Sequence, residues 1–222
     1  MAIPSSPGPA SSSRRRRATR ISGEEREHAI LTTLQRLLAE QPLHAISVDD
    51  LARGAGISRP TFYFYFASKE AALLALLEVL VEEAYAALGD APELLARDPA
   101  AAWRQAIGGS YATWTANRDV VRAAAEARSS NAEIQALWTR LLDSFVHQTA
   151  EAIEAERARG AAPAGLPARD LALCLNRMNE RVFETTLGHE ELTLDEDRVL
   201  DSLVDVWLRS IYGTPPAAGH AG

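Results

Sequence analysis

Apolar residues recur at intervals of three to four along most of this 222-residue chain, and this spacing is typical of amphipathic α-helices. The first helix is predicted in the run AILTTLQRLL, which follows a capping box of Ser22 and Glu25 and should end near Pro42. Caps, glycines and prolines bound the further helices, which are predicted at 47–54, from 58, at 68–89, from 98, at 118–129, 131–159, 167–187 and 197–212. No convincing strand remains, so the pattern predicts an all-α chain of about nine helices.

Five consecutive aromatic residues, FYFYF at 62–66, form the one segment for which helix and strand compete. Aromatic residues favour strands, and the alternation of Phe and Tyr suits the two-residue period of a strand. The flanks favour a helix, because Ser58 can cap its start, Pro60 fits its first turn and Ser68 can cap the helix that follows. A helix is therefore predicted, with its outermost phenylalanines facing inward and its two tyrosines pointing away.

The predicted helix at 47–54 and the one that begins at 58 are short and are joined by the glycine-containing turn GAGI. This arrangement matches a helix-turn-helix unit. With Phe62 and Phe66 buried, the second helix would have a polar outer face on which Arg suits guanine, a Thr methyl suits thymine and Tyr hydroxyls suit phosphates. A lysine and a helix N-terminus nearby could bind backbone phosphates. The residues predicted to contact double-stranded DNA are Ser47, Ser58, Arg59, Pro60, Thr61, Tyr63, Tyr65 and Lys69. Taken alone, the motif also allows an ordinary helical hairpin with surface tyrosines.

Two aromatic stripes with helical spacing lie further along the chain, one over 103–114 and one over 134–145. Such stripes are usually packed core, although they can also line a ligand pocket. A third helix places Asn176, Asn179 and Glu180 in a run of Leu, Met and Phe, where a buried amide needs a hydrogen-bond partner. That partner could be a ligand carbonyl, the backbone or a facing subunit.

The last two long helices carry enough apolar residues for both a core face and a dimer face, with a core face alone as the alternative. These residues are Leu171, Leu175, Met178 and Val182 on the first helix and Leu200, Leu203, Val204, Trp207 and Ile211 on the second. A dimer would place two recognition helices one DNA turn apart, about 34 Å.

Charge is distributed unevenly along the chain, whose net charge is −7. Residues 1–70 carry ten Lys and Arg against seven Asp and Glu, whereas residues 71–222 carry thirteen against twenty-three. A basic end on an acidic body fits a DNA-binding segment with a separate second domain. The predicted organisation is a disordered basic arm at 1–20, a helix-turn-helix domain at 21–67, a ligand-binding and dimerisation domain at 68–213 and a disordered tail at 214–222. The run Arg14 to Arg17 in the arm could contact phosphates or a minor groove, or could simply keep the chain soluble.

Several protein classes are disfavoured by the composition. The longest apolar stretch, AALLALL, is too short to cross a bilayer, so no membrane partner is expected. One cysteine cannot form an internal disulfide, which fits a cytoplasmic location, and the five histidines lack ligand spacing, so neither metal nor cofactor is expected. Catalytic motifs are missing as well, so an enzyme is not expected, whereas a dimeric helical adaptor that binds no DNA stays as an alternative.

A family pattern, consisting of a helix, an Ala-x-x-x-Gly-[Val/Ile]-Ser turn and a Tyr-x-x-Phe-x-x-Lys-Glu run, matches the helix-turn-helix segment. The matching positions are Ala52, Gly56, Ile57, Ser58, Tyr63, Phe66, Lys69 and Glu70. In these positions the chain resembles the TetR family of bacterial transcriptional repressors, and stretches such as ISVDDLA, ERARGAAP and LNRMNER extend the likeness to one branch of that family. The resemblance implies an N-terminal three-helix DNA-binding domain, a six-helix regulatory domain and a homodimer formed through the last two long helices.

The same branch has a long, mostly aromatic channel in the regulatory domain, which implies a pocket for a small hydrophobic or amphiphilic effector. Together with the aromatic stripes, the resemblance gives an expected lining of Trp103, Ile107, Ser110, Tyr111, Trp114, Trp138, Leu142, Phe145, Thr149, Asn176, Asn179, Glu180, Phe183 and Trp207. Ser110 and Glu184 stand where the relative has phenylalanines, Leu142 replaces a methionine and Phe145 replaces a tryptophan. A carboxylate is costly in a dry channel, so either Glu184 turns outward or the pocket accepts a more polar molecule.

The chain is accordingly predicted to be a homodimeric repressor whose operator affinity falls when a small, largely apolar effector occupies the C-terminal domain. The resemblance also suggests a neighbouring gene, such as one for a flavin monooxygenase, as the regulated target.

Overall fold

A computed structural model describes residues 23–87, 89 and 91–213, and these residues form helices and connecting turns without a strand. The helices are α1 (Gly23–Glu40), α2 (Val48–Gly54), α3 (Arg59–Tyr65), α4 (Lys69–Ala86), α5 (Ala91–Leu94), α6 (Pro99–Ala116), α7 (Arg118–Ala127), α8 (Ala132–Ala158), α9 (Ala168–Leu187) and α10 (Glu196–Tyr212), with a 3₁₀ turn at Leu43–Ala45. Since α5 is a single turn, nine longer helices make up the described part of the chain, and the predicted all-α fold is confirmed. The predictions for Ser22, the basic arm and the C-terminal tail concern residues outside the described ranges.

Side-chain caps fix the starts of the helices on either side of the aromatic segment. The Ser58 hydroxyl accepts the backbone N–H of Thr61 at 3.2 Å, and the Ser68 hydroxyl accepts the backbone N–H of Ala71 at 3.1 Å. The segment FYFYF is accordingly helical up to Tyr65, as its flanks predict and its strand propensity does not.

The two glycines of the turn are required for different reasons. Gly56 has a φ of 68°, a left-handed conformation that other residues adopt only with strain, and a Cβ there would meet open space. A Cβ on Gly54 would instead collide with the side chain of Thr33, so Gly54 allows α2 to approach α1 closely.

The helix-turn-helix unit shares one apolar core with the C-terminal part of the chain. Buried residues of α1 to α4, α7 and α8 form a single cluster that includes both Phe62 and Trp138. A polar contact follows the same route, since Arg122 of α7 donates to the carbonyl of Leu38 in α1 at 3.2 Å. Because a close-packed core transmits displacement, a shift of α4 or α7 would also displace α1 to α3.

A second apolar cluster joins α6, α8, α9 and α10 and encloses the main cavity of the molecule. The rings of Trp103 on α6 and Trp207 on α10 lie 5.0 Å apart at its centre. None of the described helices is both long enough and apolar enough to cross a membrane.

Candidate DNA-binding face and ligand cavity

Helix α3 has one buried and one exposed side. Phe62 and Phe66 are buried in the first core cluster, as predicted, and Phe62 is fully inaccessible at 0% exposure. Arg59 and Pro60 are exposed, Tyr63 retains 47% of its surface, and Thr61 is half-buried. These side chains form a continuous outward surface at the start of α3.

Phe64 is the most exposed aromatic residue of the described chain, at 81%, and the sequence analysis passed over it. Tyr65, predicted to point outward, is half-buried against the core, and its ring meets the Phe64 ring edge-on at 5.2 Å. The helical period explains both: at about 100° per residue, the third residue after Phe62 returns towards the buried side and the second lies opposite it. The expected outward position of Tyr65 is therefore corrected, and Phe64 takes its place on the exposed face.

Arg59 is held by two neighbours at the start of α3. Its Nη1 donates to Oδ2 of Asp49 in α2 at 2.7 Å, and its Nη2 donates to the Tyr63 hydroxyl one turn along at 3.3 Å. The guanidinium also lies 5.7 Å from the centre of the Tyr63 ring. The hydrogen bond from Arg59 to Tyr63, followed by the charge of Asp49, raises the pKa of Arg59 above its ordinary value, so the side chain stays cationic.

Lys69 has a structural role, and the phosphate contact predicted for it stays a prediction. Its ammonium donates to the carbonyls of Leu43 at 2.7 Å, Ile46 at 2.9 Å and His44 at 3.3 Å. An ammonium has three N–H donors, and all three are engaged. The side chain therefore ties the first residue of α4 to the 3₁₀ turn that precedes α2.

The start of α2 is also occupied from within the protein. Ser47 donates its backbone N–H and its hydroxyl to Oδ2 of Asp50 and accepts the backbone N–H of Asp50, so the two residues form a capping box. The hydrogen bonds from Ser47 lower the pKa of Asp50, which is therefore ionised at neutral pH. Asp49 and Asp50 place two carboxylates in this first turn, and the phosphate contact predicted at Ser47 stays a prediction.

The main cavity lies between α6, α8, α9 and α10 and has a volume of about 440 Å³. It is lined by eight of the residues predicted for the pocket: Trp103, Ile107, Ser110, Phe145, Thr149, Asn176, Asn179 and Trp207. Residues of the α5 turn and the outer part of α8, including Leu95 and Gln148, complete its wall. Its volume is in the range of small-molecule sites.

Two smaller cavities continue from the main one towards α4. The second, of about 70 Å³, shares Ser110 and Phe145 with the first and adds Trp114, Trp138, Leu142, Glu180 and Phe183 to the predicted lining residues. The third, of about 40 Å³, lies between the Trp114 and Trp138 side chains and the α4 residues Leu77, Leu80, Val81 and Ala84. The three cavities therefore form a series that runs from α5 to α4, the helix that follows α3.

Tyr111 lines none of these three cavities. Its ring packs against Phe183 at 5.0 Å, and burial raises the pKa of its hydroxyl, which has no hydrogen-bond partner within the described ranges. Tyr111 supports the cavity wall from behind.

Two asparagines present polar atoms to the main cavity. Asn179 accepts the indole N–H of Trp207 at 2.9 Å, and Asn176 donates to Thr149 at 3.1 Å and to the carbonyl of Ala172 at 2.9 Å. These bonds use the carbonyl oxygen of Asn179 and the amino group of Asn176. The amino group of Asn179 and the carbonyl oxygen of Asn176 are left without a partner among the described residues, so the cavity wall offers one donor and one acceptor.

Glu184 points away from the main cavity and towards Arg128, which resolves the alternatives stated for it. Arg128 donates to Glu184 at 2.7 Å and to Glu180 at 2.9 Å, and its guanidinium lies 4.8 Å from the centre of the Trp138 ring. Trp138 in turn donates its indole N–H to Glu180 at 2.6 Å. Glu184 and Arg128 line a separate cleft on the outside of α7 and α9.

The two carboxylates of this network have opposite pKa shifts. Burial favours the neutral form of both groups, and for Glu184 it is the largest effect and raises the pKa above 4.5. Burial is also the largest single effect on Glu180, but hydrogen bonds from Trp138, Arg177 and Arg128 together outweigh it and lower the pKa. Glu180 is thus the carboxylate that the surroundings hold ionised.

A buried polar chain adjoins the other end of the main cavity, and the sequence analysis did not identify it. Glu156 is only 1% exposed and accepts two hydrogen bonds from Arg159, both at 2.6 Å, and one from the Tyr212 hydroxyl at 2.8 Å. Tyr212 accepts the indole N–H of the cavity residue Trp103 at 3.2 Å. Burial raises the pKa of Tyr212 far above its ordinary value, so its hydroxyl keeps its proton. The spacing of three residues between this glutamate and this arginine, at the end of α8, was the signal available in the sequence.

The apolar residues predicted for α9 and α10 are mostly used within the protomer. Leu171, Leu175, Leu203 and Trp207 are among those buried in the second core cluster. The outward side of the two helices carries a mixed strip that contains Leu173 and Val206, at 45% and 40% exposure, together with Cys174 and charged residues.

Comparisons with known proteins agree with this architecture. A model of the C-terminal domain of the transcriptional regulator EthR matches residues 103–213, and a model of the tetR family of bacterial regulatory proteins matches residues 30–76. The regulator EthR of Mycobacterium tuberculosis is 48% identical over 209 residues, which cover 92% of this chain and 95% of EthR. EthR of Mycolicibacterium smegmatis is 46% identical over 203 residues, or 91% and 94% of the two chains.

A solved structure shows the same fold at low sequence identity. The TetR family regulator PfmR of Thermus thermophilus superimposes with a TM-score of 0.63 at 18% identity, over 82% of this chain and 96% of PfmR.

Proposed function

This chain belongs to the TetR family of helix-turn-helix transcriptional regulators, within its EthR-like branch, and from that premise we propose that it is a cytoplasmic, homodimeric repressor released from its operator by a small effector. The family consists of regulators, and the chain is not an enzyme. The proposed effector is largely apolar, with a polar group that can pair with Asn176 and Asn179. A neighbouring monooxygenase gene is the proposed target.

The observation that carries this proposal is the series of cavities that ends at α4. Trp114 and Trp138 line both the second and the third cavity, and Leu77 and Leu80 of α4 form the far wall of the third. A ligand that extends past Phe145 would have to move these indole rings and would press on α4. Cavity occupancy therefore acts on the helix that follows the recognition helix α3.

Helix α4 is joined to the DNA-binding face by short links. Ser68 caps α4 directly after α3, and Lys69 connects its first turn to three carbonyls before α2. A tilt of α4 would thus shift α2 and α3 together. An effector that binds better to the tilted form must weaken DNA binding by the same factor.

Dimerisation is proposed through the outward sides of α9 and α10. Leu173 and Val206 would lie at the centre of the contact, and the two α3 helices would fall about 34 Å apart on a two-fold operator. Residues proposed to contact DNA are Arg59, Pro60, Thr61, Tyr63 and Phe64, with Ser58 as the cap of α3. Ser47 and Lys69 are proposed to lie beside the backbone phosphates.

The test is DNA binding by fluorescence anisotropy across a salt series, with an operator obtained by selection from random duplexes. A steep linear fall of log affinity with log salt is expected for the wild-type protein. Arg59→Ala and Tyr63→Ala should each lower operator affinity at least about tenfold without changing the dimer, because each removes a base or phosphate contact. The matched control is Arg36→Ala, which also breaks an exposed ion pair, with Glu40 on α1, but lies off the α3 surface. Operator binding by both α3 variants at wild-type strength would disprove the assignment.

Effector binding is tested separately with a library of hydrophobic and amphiphilic compounds. A compound that raises the melting temperature and lowers operator affinity would identify the effector class. The proposal of effector release fails if compounds that occupy the cavity leave operator affinity unchanged.

A further inference from the structure

We infer that Asp49 is a positioning residue for DNA recognition, whose carboxylate orients the Arg59 guanidinium towards a guanine and withholds it from phosphates. The inference rests on the proposed function, in which Arg59 contacts a base in the major groove.

The geometry holds Arg59 from two directions. The bond from Nη1 to Asp49, at 2.7 Å, joins the first residue of α3 to the first turn of α2. The bond from Nη2 to Tyr63, at 3.3 Å, runs along α3. A long arginine side chain otherwise samples many rotamers, and two anchors remove much of that freedom before DNA arrives. The side chains of both partners are about half exposed, at 53% and 52%, so the pair stays open to a groove.

The hydrogen-bond donors of Arg59 are not exhausted by these anchors. A guanidinium has five N–H donors, and Asp49 and Tyr63 take one each, so three remain. Guanine offers two acceptors, O6 and N7, to an arginine in the major groove. Arg59 can therefore bind a guanine while it stays bound to Asp49. Lys69 is the contrasting case, since its three donors are all used by backbone carbonyls.

The charges around α2 and α3 explain why such an arrangement favours bases over phosphates. Residues 41–70 contain three Lys and Arg and three Asp and Glu, so this segment is neutral overall. Its second arginine, Arg53, is also paired with an α2 carboxylate, Asp50, at 3.2 Å. Non-specific DNA affinity arises from uncompensated positive charge at the phosphates, and Asp49 lowers that charge beside the groove.

Stability alone does not account for the Asp49 carboxylate. An ion pair with both partners half exposed contributes little to stability, and the α2 start already has the capping box of Ser47 and Asp50. A negative charge facing DNA opposes binding, and the fixed orientation of Arg59 is the compensating gain.

The test compares five full-length proteins in selections from a random duplex library: wild type, Asp49→Asn, Asp49→Glu, Arg59→Ala and the control Glu40→Gln. Glu40→Gln also removes one acidic charge and one exposed ion pair from the DNA-binding domain, but its partner is Arg36 on α1. Arg59→Ala identifies the base pair at which a guanine preference is lost. Asp49→Asn should lower that preference about fivefold at the same base pair and raise affinity for random DNA about threefold at low salt. Asp49→Glu, which restores the carboxylate, should recover most of the preference.

The melting temperature of Asp49→Asn should stay within about 2 °C of wild type, because the pair is exposed. The inference is overturned if Asp49→Asn has the same base preference and the same affinity for random DNA as Glu40→Gln. It is also overturned if Asp49→Asn changes the preference at a base pair other than that of Arg59, because Asp49 would then contact a base itself. If Arg59→Ala loses no preference at any base pair, the proposed base contact fails and the role of Asp49 fails with it. The two failures are therefore distinguished by the Arg59→Ala selection.

Discussion

Three phenylalanines within five positions have opposite surroundings. Phe62 and Phe66 are buried among apolar side chains of α1 and α4, whereas Phe64 presents four fifths of its surface to solvent. Phe64 packs only by the edge-on contact with Tyr65, and its exposed ring suits contact with a thymine methyl in the major groove. The angular position around the axis of α3 thus decides whether a phenylalanine of this segment is buried or exposed.

Substitution of these residues by alanine separates the two roles. Phe64→Ala should weaken operator binding about fivefold and leave the free energy of unfolding within about 0.5 kcal/mol of wild type, because an apolar base contact is lost without a cavity. Phe62→Ala should lower the free energy of unfolding by about 3–5 kcal/mol. Urea unfolding and anisotropy titration measure both quantities. A large stability loss in Phe64→Ala would contradict its assignment to the DNA-binding face.

At the scale of elements, the junction of α7, α8 and α9 is held by Arg128, which follows the last residue of α7. Its guanidinium binds Glu180 and Glu184 of α9 and stacks on Trp138 of α8, which lines two of the cavities. The junction therefore links a cavity wall to α7, and α7 packs against α1 of the DNA-binding domain. One network of side chains can relate the position of Trp138 to the position of the helix-turn-helix unit.

The pH dependence of stability should have opposite signs for the two carboxylates of this network. The lowered pKa of Glu180 means that its ionised form stabilises the fold above its ordinary pKa of 4.5, and that this contribution is lost as the pH falls through the folded value. Glu180→Gln should therefore cost about 2 kcal/mol at pH 7, with the deficit shrinking below about pH 4.5.

Glu184→Gln on the same helix is the matched control. Because the folded pKa of Glu184 is raised, its ionised form opposes folding as the pH rises above 4.5, and the variant should gain stability relative to wild type over that range. Chemical unfolding at one protein concentration across a pH series, extended well below the ordinary carboxyl pKa and up to neutral pH, measures both variants. Parallel pH profiles for the two variants would contradict the assigned pKa directions.

At the scale of the whole molecule, the regulatory part and the DNA-binding part are continuous in their packing. One cluster runs from α1 to α8, a second from α6 to α10, and Trp114 packs against both. The proposed dimer would add a third layer on the outward sides of α9 and α10. Since most apolar side chains of these helices are buried within the protomer, the contact would be small in apolar area and mixed with charge.

Charge placed in that contact should therefore dissociate the dimer. Leu173→Glu and Val206→Glu are each expected to halve the mass measured by light scattering at micromolar concentration and to weaken operator binding at least about tenfold, since two linked half-sites bind far more tightly than one. Leu192→Glu is the control, because Leu192 is 93% exposed and lies between α9 and α10. Dimeric mass for both interface variants would refute this placement of the interface.

The sequence predicted the helices closely, because capping and periodicity act between residues that are near neighbours in the chain. Ser58, Ser68 and the glycines bound the short helices where expected, and thirteen of the fourteen residues predicted for the pocket line the three cavities. The error at Tyr65 and the omission of Phe64 arose from grouping residues by chemical type without the 3.6-residue period.

The sequence alone thus determined the helical fold and the family, because helix caps and the helical period depend only on residues that are close together in the chain. The tertiary structure alone decided the partners of those charged side chains that pair across long stretches of the chain. Lys69 is bound to a carbonyl 26 residues earlier and Glu184 to an arginine 56 residues earlier. A charged group is satisfied by whichever partner folding brings within about 3 Å, and that distance is set by the packing of whole helices rather than by sequence neighbours.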